Sequence, residues 1–292
     1  MTEKQLHRAV TDDGIEIVGR VHGDGPPLVF VHGAMDDGTL QWEPAVPYLV
    51  DRFTCHVISM RNRGRSVHSE DLSAPRFIED IAAYSSSVGK PVGLVGLSAG
   101  GYWVLGAATQ LTDVMGVVAY EPVVFEVISE EVLNRLSSVV IRVGEEAKQG
   151  RLPAAVRIFA EFVGNADEVA ALDASGSFET MGLNTPADLM GIQQSNDYRG
   201  PSATDPSILT KISAPLLLLQ GGRSSVHSWF HDGVRYVAEH VPQATVHEFA
   251  DLGILAPMSL LNRSLRKSPV SSTRCIRVSR ADYTCIIFWE IK

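Results

Sequence analysis

Short apolar runs recur along the chain, and segments with helical spacing separate most of them. Runs rich in Val, Leu and Ile, two of them joined by the turn at 12–14, predict strands at residues 6–11, 15–22, 27–31, 54–59, 92–97, 115–120, 215–220 and 244–249. Apolar positions at helical spacing predict helices at 75–87 and 227–240. This alternation predicts an α/β fold with a doubly wound, mostly parallel sheet that has helices on both faces. Ligands of such sheets bind outside the carboxyl ends of the strands.

The strand pattern stops between residues 123 and 206. Helical spacing predicts helices at 130–149, 153–163 and 166–172 within this segment. We expect 123–206 to form a helical cap over the strand ends, with 1–122 and 207–260 as the core. A separate helical domain is the alternative, for which the segment is rather short.

Composition and charge narrow the classes of function. The 292 residues are 45% hydrophobic and 20% charged, which is typical of a globular chain, and the net charge of −9 argues against a nucleic-acid or anionic-membrane binder. Cys55, Cys275 and Cys285 are few, odd in number and lack metal-ligand spacing, so we expect no metal. No apolar run is long enough to span a membrane. These features predict a cytoplasmic protein, and they leave the oligomeric state open.

The residues around Ser98 carry the most specific chemical signal. The segment Gly96-Leu97-Ser98-Ala99-Gly100 follows the apolar run at 92–97 and precedes the helix-like stretch at 101–109. A G-x-S-x-G motif between a strand and a helix is a nucleophile elbow, in which small residues permit a sharp turn that exposes the serine hydroxyl. The sequence therefore predicts Ser98 as a nucleophile.

Several motifs together resemble the α/β-hydrolase superfamily over residues 6 to about 258. His32-Gly33 follows the third predicted strand, Arg61-Asn-Arg-Gly-Arg-Ser follows the fourth, and Ser98 follows the fifth. The helical insert falls where that family carries its cap. The resemblance implies that the backbone N–H groups of Ala34 and Ala99 stabilise the oxyanion, and that no cofactor is needed. A serine nucleophile argues against the dehalogenases and epoxide hydrolases of the superfamily, which use an aspartate.

A serine nucleophile needs a base, usually a histidine that a carboxylate orients. After the seventh predicted strand the chain offers Ser224 and Ser225 but no carboxylate before Asp232. Glu121 directly follows the sixth strand, where some family members carry the acid, so we expect Glu121 to be the acid. Asp232 and Asp251 are the next candidates, and a solvated or cap-bridging Glu121 is the alternative.

The expected histidine is missing from its usual place. The resemblance implies a histidine a few residues after the eighth strand, and Ile254 occupies that position. His227 and His231 follow the seventh strand and are candidates for a surrogate base. His247 lies within a strand and is expected to be structural, and His32 is expected to shape the oxyanion loop.

The end of the chain differs in composition from the rest. Residues 261–292 contain seven basic residues and two acidic ones, a net charge of +5, and two of the three cysteines. We interpret this stretch as an atypical basic tail, either a partner-binding tail, a disordered extension or a shifted reading frame.

The leading hypothesis is a serine hydrolase that acts on a small ester, lactone or thioester, with activity impaired by Ile254. A catalytically dead ligand-binding pseudoenzyme and a lyase or cyclase on the same scaffold remain alternatives.

Overall fold

A computed structural model of the protein describes residues 5–259, which contain one eight-stranded sheet. Its strands are β1 (Gln5–Val10), β2 (Glu16–His22), β3 (Pro27–Val31), β4 (Thr54–Ser59), β5 (Val92–Leu97), β6 (Val114–Tyr120), β7 (Leu216–Gly221) and β8 (Ala244–Phe249). The spatial order is β1-β2-β4-β3-β5-β6-β7-β8. The β1–β2 and β2–β4 pairs are antiparallel and the other pairs are parallel, which confirms the predicted doubly wound, mostly parallel sheet.

The parallel register brings the predicted site segments to one edge of the sheet. Val31 of β3 lies opposite Gly96 of β5, and Leu97 lies opposite Tyr120 of β6. The residues that follow these strands therefore leave the sheet side by side. This places the start of the His32 loop, Ser98 and Glu121 at the carboxyl edge, where sheets of this type bind ligands.

Ten helices accompany the sheet in the described residues. They are α1 (Ala74–Ser87), α2 (Ala99–Ala108), α3 (Glu130–Lys148), α4 (Leu152–Val163), α5 (Ala166–Ala174), α6 (Ser177–Gly182), α7 (Thr185–Asp197), α8 (Pro206–Leu209), α9 (His227–His240) and α10 (Ala256–Ser259). Short 3₁₀ turns lie at Val46–Tyr48 and Phe125–Val127.

Helices α3 and α5 of the segment between β6 and β7 begin at side-chain caps that the sequence supplies. Ser129 accepts a hydrogen bond from the Val132 N–H at the start of α3, and Asn165 and Glu168 form a reciprocal capping box at the start of α5. The spacing of apolar residues predicts α3, α4 and α5, but not α6 and α7. The α7 sequence is largely polar and has no apolar stripe, so its helical structure depends on contacts that a local pattern does not show.

Two hydrophobic clusters cover the two faces of the sheet. Alternate residues of each central strand enter opposite clusters: Leu28 and Phe30 enter one cluster, while Val29 and Val31 enter the other. Helices α1 and α2 pack in the second cluster. Buried residues of α3–α6 belong to the first cluster, together with residues of β3, β5, β6 and β7. The helical insert therefore shares a continuous apolar core with one face of the sheet.

The basic stretch and two of the cysteines lie outside the described residues. The basic stretch at 261–292 falls outside them, as do Cys275 and Cys285. Within residues 5–259, no helix combines the length and apolar character needed to cross a bilayer.

A buried ion pair holds the loop that follows β4. Arg61 is fully buried, and its Nε and Nη2 donate to the two carboxylate oxygens of Asp80 on α1, at 2.8 and 2.6 Å. Arg61 Nη1 also donates to Asp13 at 2.9 Å. The arginine therefore links the β1–β2 turn, the loop after β4 and helix α1.

We predict that Asp80→Ala lowers the free energy of unfolding by about 3–5 kcal/mol, because it leaves the Arg61 charge buried without its main partner. Glu79→Ala is the matched control, since the Glu79–Arg76 pair is partly exposed to solvent and should contribute about 1 kcal/mol or less. Urea unfolding of both variants measures the difference. Equal losses in the two variants would contradict the structural role of the buried pair.

Candidate active site

The Ser98 backbone makes the sharp turn that a nucleophile elbow requires. Ser98 has φ 56° and ψ −119°, a conformation that L-residues rarely adopt, between the end of β5 and the start of α2. Its N–H donates to Tyr120 O at 2.9 Å. A Cβ added to Gly100 would lie 2.5 Å from His32 O and Val31 O, so only glycine permits the turn to pack this closely against the end of β3.

The first oxyanion-donor candidate follows the serine directly. Helix α2 begins at Ala99, and Ser98 provides no side-chain cap. The first N–H groups of a helix have no acceptor within the helix, and they carry the positive end of its dipole. The Ala99 N–H is therefore positioned beside Ser98 with the electrostatics that an oxyanion requires.

The second candidate, Ala34, lies in a loop that approaches the elbow closely. A Cβ on Gly33 would lie 2.8 Å from Leu97 O and 3.1 Å from Ser98 Cβ. His32 shapes this loop: Met60 N donates to its Nε2 at 3.1 Å, so its Nδ1 carries the proton and donates to Gly33 O at 2.7 Å. Burial lowers the pKa of His32 to about 4. Both ring nitrogens are therefore occupied, and His32 is neutral at pH 7.

A contact from the helical insert fixes the same loop, and the sequence did not indicate it. Met35 has φ 62°, and its N–H donates to Asp188 Oδ2 on α7 at 3.0 Å. The other Asp188 oxygen accepts from Arg63 Nη2 at 2.8 Å. Asp188 and Arg63 are both buried, so this ion pair joins α7 to the loop after β4 and to the residue after Ala34.

Glu121 lies at the predicted strand end with its carboxyl group fully buried. Its φ is 43°, and it accepts a hydrogen bond from the Gly221 N–H at 2.9 Å. Ser224 Oγ lies 2.8 and 3.0 Å from the two carboxyl oxygens and accepts from the Ile254 N–H at 2.9 Å. Burial raises the pKa of Glu121 to about 8. Ser224 therefore connects the candidate acid to the backbone of residue 254.

The loop that carries Ile254 is fixed by residues from three parts of the chain. Tyr120 donates its hydroxyl to Gly253 O at 2.8 Å, and the Arg223 N–H donates to Leu252 O at 2.9 Å. Glu168 of α5 accepts from the Gly253 N–H at 3.0 Å, and burial raises the pKa of Glu168 to about 7. These hydrogen bonds, all from described residues, hold the backbone on either side of Ile254.

A small cavity brings Ser98 and Ile254 together. It has a volume of about 20 Å³, which is room for one or two water molecules, and Ala34 also lines it. Ile254 is only 2% exposed. Most of the wall is apolar and comes from the His32 loop, α4, α6 and the residue after Ile254, namely Met35, Phe159, Ala160, Val163, Met181 and Leu255.

The structure does not bring the surrogate-base candidates to Ser98. His227 is exposed at the start of α9, with its ring against that of His231, and His231 Nε2 lies 3.2 Å from Gly221 O. His247 is exposed on β8 and contacts the Phe249 ring. A structural histidine is expected to be enclosed by the sheet, and His247 is not. Among the described residues, no histidine lines the Ser98 cavity.

The alternative acids also lie away from the cavity. Asp232 pairs with Arg235 on α9 at 2.7 Å, and Asp251 is exposed in the loop after β8. Neither residue is among those that line the cavity.

The sheet order, the elbow and the helical insert define an α/β hydrolase. The profile of the alpha/beta hydrolase family matches residues 28–255, so the chain belongs to this family. Solved structures of the same fold include an alpha/beta hydrolase from Sphaerobacter thermophilus DSM 20745, with 24% identity, coverage of 88% of this chain and 99% of that chain, and a TM-score of 0.65. The esterase RhEst1 from Rhodococcus sp. ECU1013 has 20% identity, covers 89% and 96%, and has a TM-score of 0.69.

Among curated relatives, the chain is similar to the pimeloyl-[acyl-carrier protein] methyl ester esterase of Stenotrophomonas maltophilia (strain R551-3). The two are 31% identical over 137 residues, which cover 41% of this chain and 49% of the relative. The match to the strain K279a protein of the same name is 30% identical over 128 residues, with 38% and 48% covered. The chain therefore spans about half the length of these relatives.

The two buried carboxyl groups predict an unusual dependence of stability on pH. The folded-state pKa values of Glu121 and Glu168 lie above the usual value of 4.5, so the folded chain binds more protons than the unfolded chain between about pH 4.5 and pH 8. Their contribution to stability is complete below pH 4.5 and is lost as the pH rises through about 7 to 8.

We predict that Glu121→Gln removes part of this dependence. The free energy of unfolding of the wild type, minus that of Glu121→Gln, should fall by on the order of 3 kcal/mol between pH 5 and pH 8.5. Urea unfolding across the pH range measures this difference, and Glu161→Gln, an exposed site on α4, controls for the loss of one charge. A difference that does not change with pH would show that Glu121 ionises normally.

Proposed function

We propose that the chain is a serine hydrolase that cleaves a small ester, lactone or thioester through an acyl-enzyme on Ser98. The observation that carries the proposal is the strained turn at Ser98. The Ser98 side chain lines a cavity together with Ala34, and it adjoins the first N–H groups of α2, which have no acceptor within the helix. Similarity to esterases, at low identity or over part of the chain, supports the same class of reaction.

The chemistry follows from this geometry. Ser98 Oγ attacks the substrate carbonyl carbon, and the N–H groups of Ala34 and Ala99 donate to the oxyanion that forms. The C–O or C–S bond to the leaving group then breaks, and the leaving group takes up a proton. Water attacks the acyl-enzyme, forms a new C–O bond and releases the acid together with the free serine.

We infer that proton transfer limits this chain. Ile254 occupies the position of the expected base and has no titratable group. Glu121 lies one hydrogen-bonded serine away from its backbone. Loss of one member of a catalytic triad typically leaves only the roughly thousandfold acceleration that the oxyanion site and substrate binding provide. The chain should therefore acylate slowly and turn over more slowly.

The same observation favours one alternative function. A protein that has the elbow and the cavity but no base binds an acyl ligand without releasing product. Such a protein is a ligand-binding pseudoenzyme. The apolar wall favours an apolar acyl group in either case. Catalytic turnover separates the two proposals.

We predict that a fluorophosphonate probe labels Ser98 slowly and that Ser98→Ala abolishes the labelling, because the probe reacts with the same nucleophile as an ester. Intact-protein mass spectrometry followed by peptide mapping measures the site and the rate. Ser225→Ala is the matched control, since Ser225 is an exposed serine after β7. Labelling at another residue, or equal labelling of the Ser98→Ala variant, would refute the elbow assignment.

We predict that Ile254→His raises kcat/KM for p-nitrophenyl acetate on the order of 100-fold, because a positioned base typically contributes 10²–10⁴-fold. The loop that carries residue 254 is already held, and its side chain already faces the Ser98 cavity. Steady-state kinetics of the variant measures the gain, and Ile254→Gln controls for polarity without a titratable group.

Two further variants test whether the gain comes from the proposed machinery. In the Ile254→His background at pH 8.5, above the pKa of Glu121, Ser98→Ala should abolish the added activity, and Glu121→Gln, which cannot carry the charge, should lower it by orders of magnitude. Rapid ester turnover by the wild type with no gain from Ile254→His would refute the missing base. His227→Ala and His231→Ala would then identify the group that replaces it.

A further inference from the structure

A second polar side chain faces the cavity beside Ser98. Gln41, in the loop that also carries Ala34, is only 2% exposed and lines the cavity. Ser98 and Gln41 are the two polar side chains among the described residues that line it. A buried amide in an apolar wall needs hydrogen-bond partners. Its contacts within the protein therefore show which of its donors and acceptors remain available to a ligand.

The contacts of Gln41 fix which way the amide faces. The Gly33 N–H donates to Oε1 at 2.7 Å. Because a backbone N–H must meet an acceptor, the oxygen lies on the Gly33 side and the Nε2 group lies on the other side. The backbone is held as well, since the buried Asp36 carboxylate accepts from the Gln41 N–H at 3.0 Å.

The Nε2 group is only weakly bonded within the protein. Its hydrogen bond to Ala34 O is long, at 3.5 Å, and an amide nitrogen has two N–H groups to donate. Within residues 5–259, at least one of these N–H groups has no protein acceptor. The Gln41 amide is therefore held in place, and at least one of its N–H groups can donate to a ligand.

The position of Nε2 relates it to the nucleophile. A Cβ built on Gly33 would lie 3.1 Å from Ser98 Cβ and 3.7 Å from Gln41 Nε2, so both atoms border the same small volume. Nε2 also lies beside Ala34, whose N–H is a candidate oxyanion donor. The carbonyl oxygen of a substrate attacked by Ser98 has to enter this region.

We propose that Gln41 is a third hydrogen-bond donor to the acyl group, with Nε2 binding the substrate carbonyl oxygen and the oxyanion that develops from it. This inference rests on the proposed acyl transfer at Ser98. It specifies the ligand as an acyl compound. Within the described part of the chain, the apolar wall around Gln41 offers the carbonyl oxygen of this ligand no cationic side chain. A donor fixed in such a wall requires no reorganisation when charge develops.

Gln41→Glu tests the role, because the glutamate keeps an oxygen for the Gly33 N–H but loses the donor. In wild type and variant, the concentration dependence of fluorophosphonate labelling gives the maximal rate and the half-saturating concentration separately. We expect the maximal rate of Ser98 labelling to fall on the order of 100-fold, as for loss of one oxyanion donor, with a small change in half-saturation. Gln110→Glu, the same change at an exposed glutamine after α2, should leave labelling unchanged.

A second variant separates the donor from the added charge and guards against misfolding. Gln41→Met keeps the chain length without charge and should also slow labelling, while thermal unfolding monitors the fold of each variant. Labelling of either folded variant within twofold of the wild-type rate would overturn the role of Gln41 and leave the proposed function standing. Absence of Ser98 labelling in the wild type would refute the proposed function, and the role of Gln41 with it.

Discussion

Ser98 has to be held in a backbone conformation that disfavours every residue with a side chain, and much of the site depends on that constraint. The serine N–H is bonded to the end of β6, and Gly100 packs against the end of β3 with no space for a Cβ. The strain persists only because neighbouring strands fix both sides of the turn. The parallel order β3-β5-β6 is therefore a requirement of the elbow as well as a feature of the fold. The oxyanion loop and the candidate acid come to the site because they extend from the same strands.

Local patterns in the sequence predict the elements that build this arrangement. Every predicted strand end lies within one residue of the end in the structure, because the central strands are buried on both faces and therefore appear in the sequence as continuous apolar runs. The elbow is recognisable because its glycines are two residues from the serine. Helices α6 and α7 are not recognisable, because their packing does not impose a regular apolar stripe on a largely polar sequence.

The contacts that complete the site have no local pattern. Asp188 meets Met35 across 153 positions of the chain, and Glu168 meets Gly253 across 85. Gln41 is indistinguishable in sequence from a surface glutamine, although it is buried and lines the same cavity as Ser98. The chain has no carboxylate directly after β7, and Ser224 makes hydrogen bonds there instead. Its hydroxyl lies between the Glu121 carboxyl and the backbone of Ile254, where it bonds to both.

The ion pair of Asp188 and Arg63 couples the helical insert to the loops at the edge of the sheet. One carboxylate bonds both to the backbone beside Ala34 and to an arginine after β4, so a shift of α7 breaks both contacts together. Any ligand that favours one position of α7 must therefore also favour one geometry of the residues beside Ser98. By thermodynamic reciprocity, occupation of the site stabilises the seating of that helix by the same free energy. The insert therefore contributes to the stability of the candidate oxyanion site, and amino-acid changes on its far surface can alter the geometry beside Ser98 without contacting it.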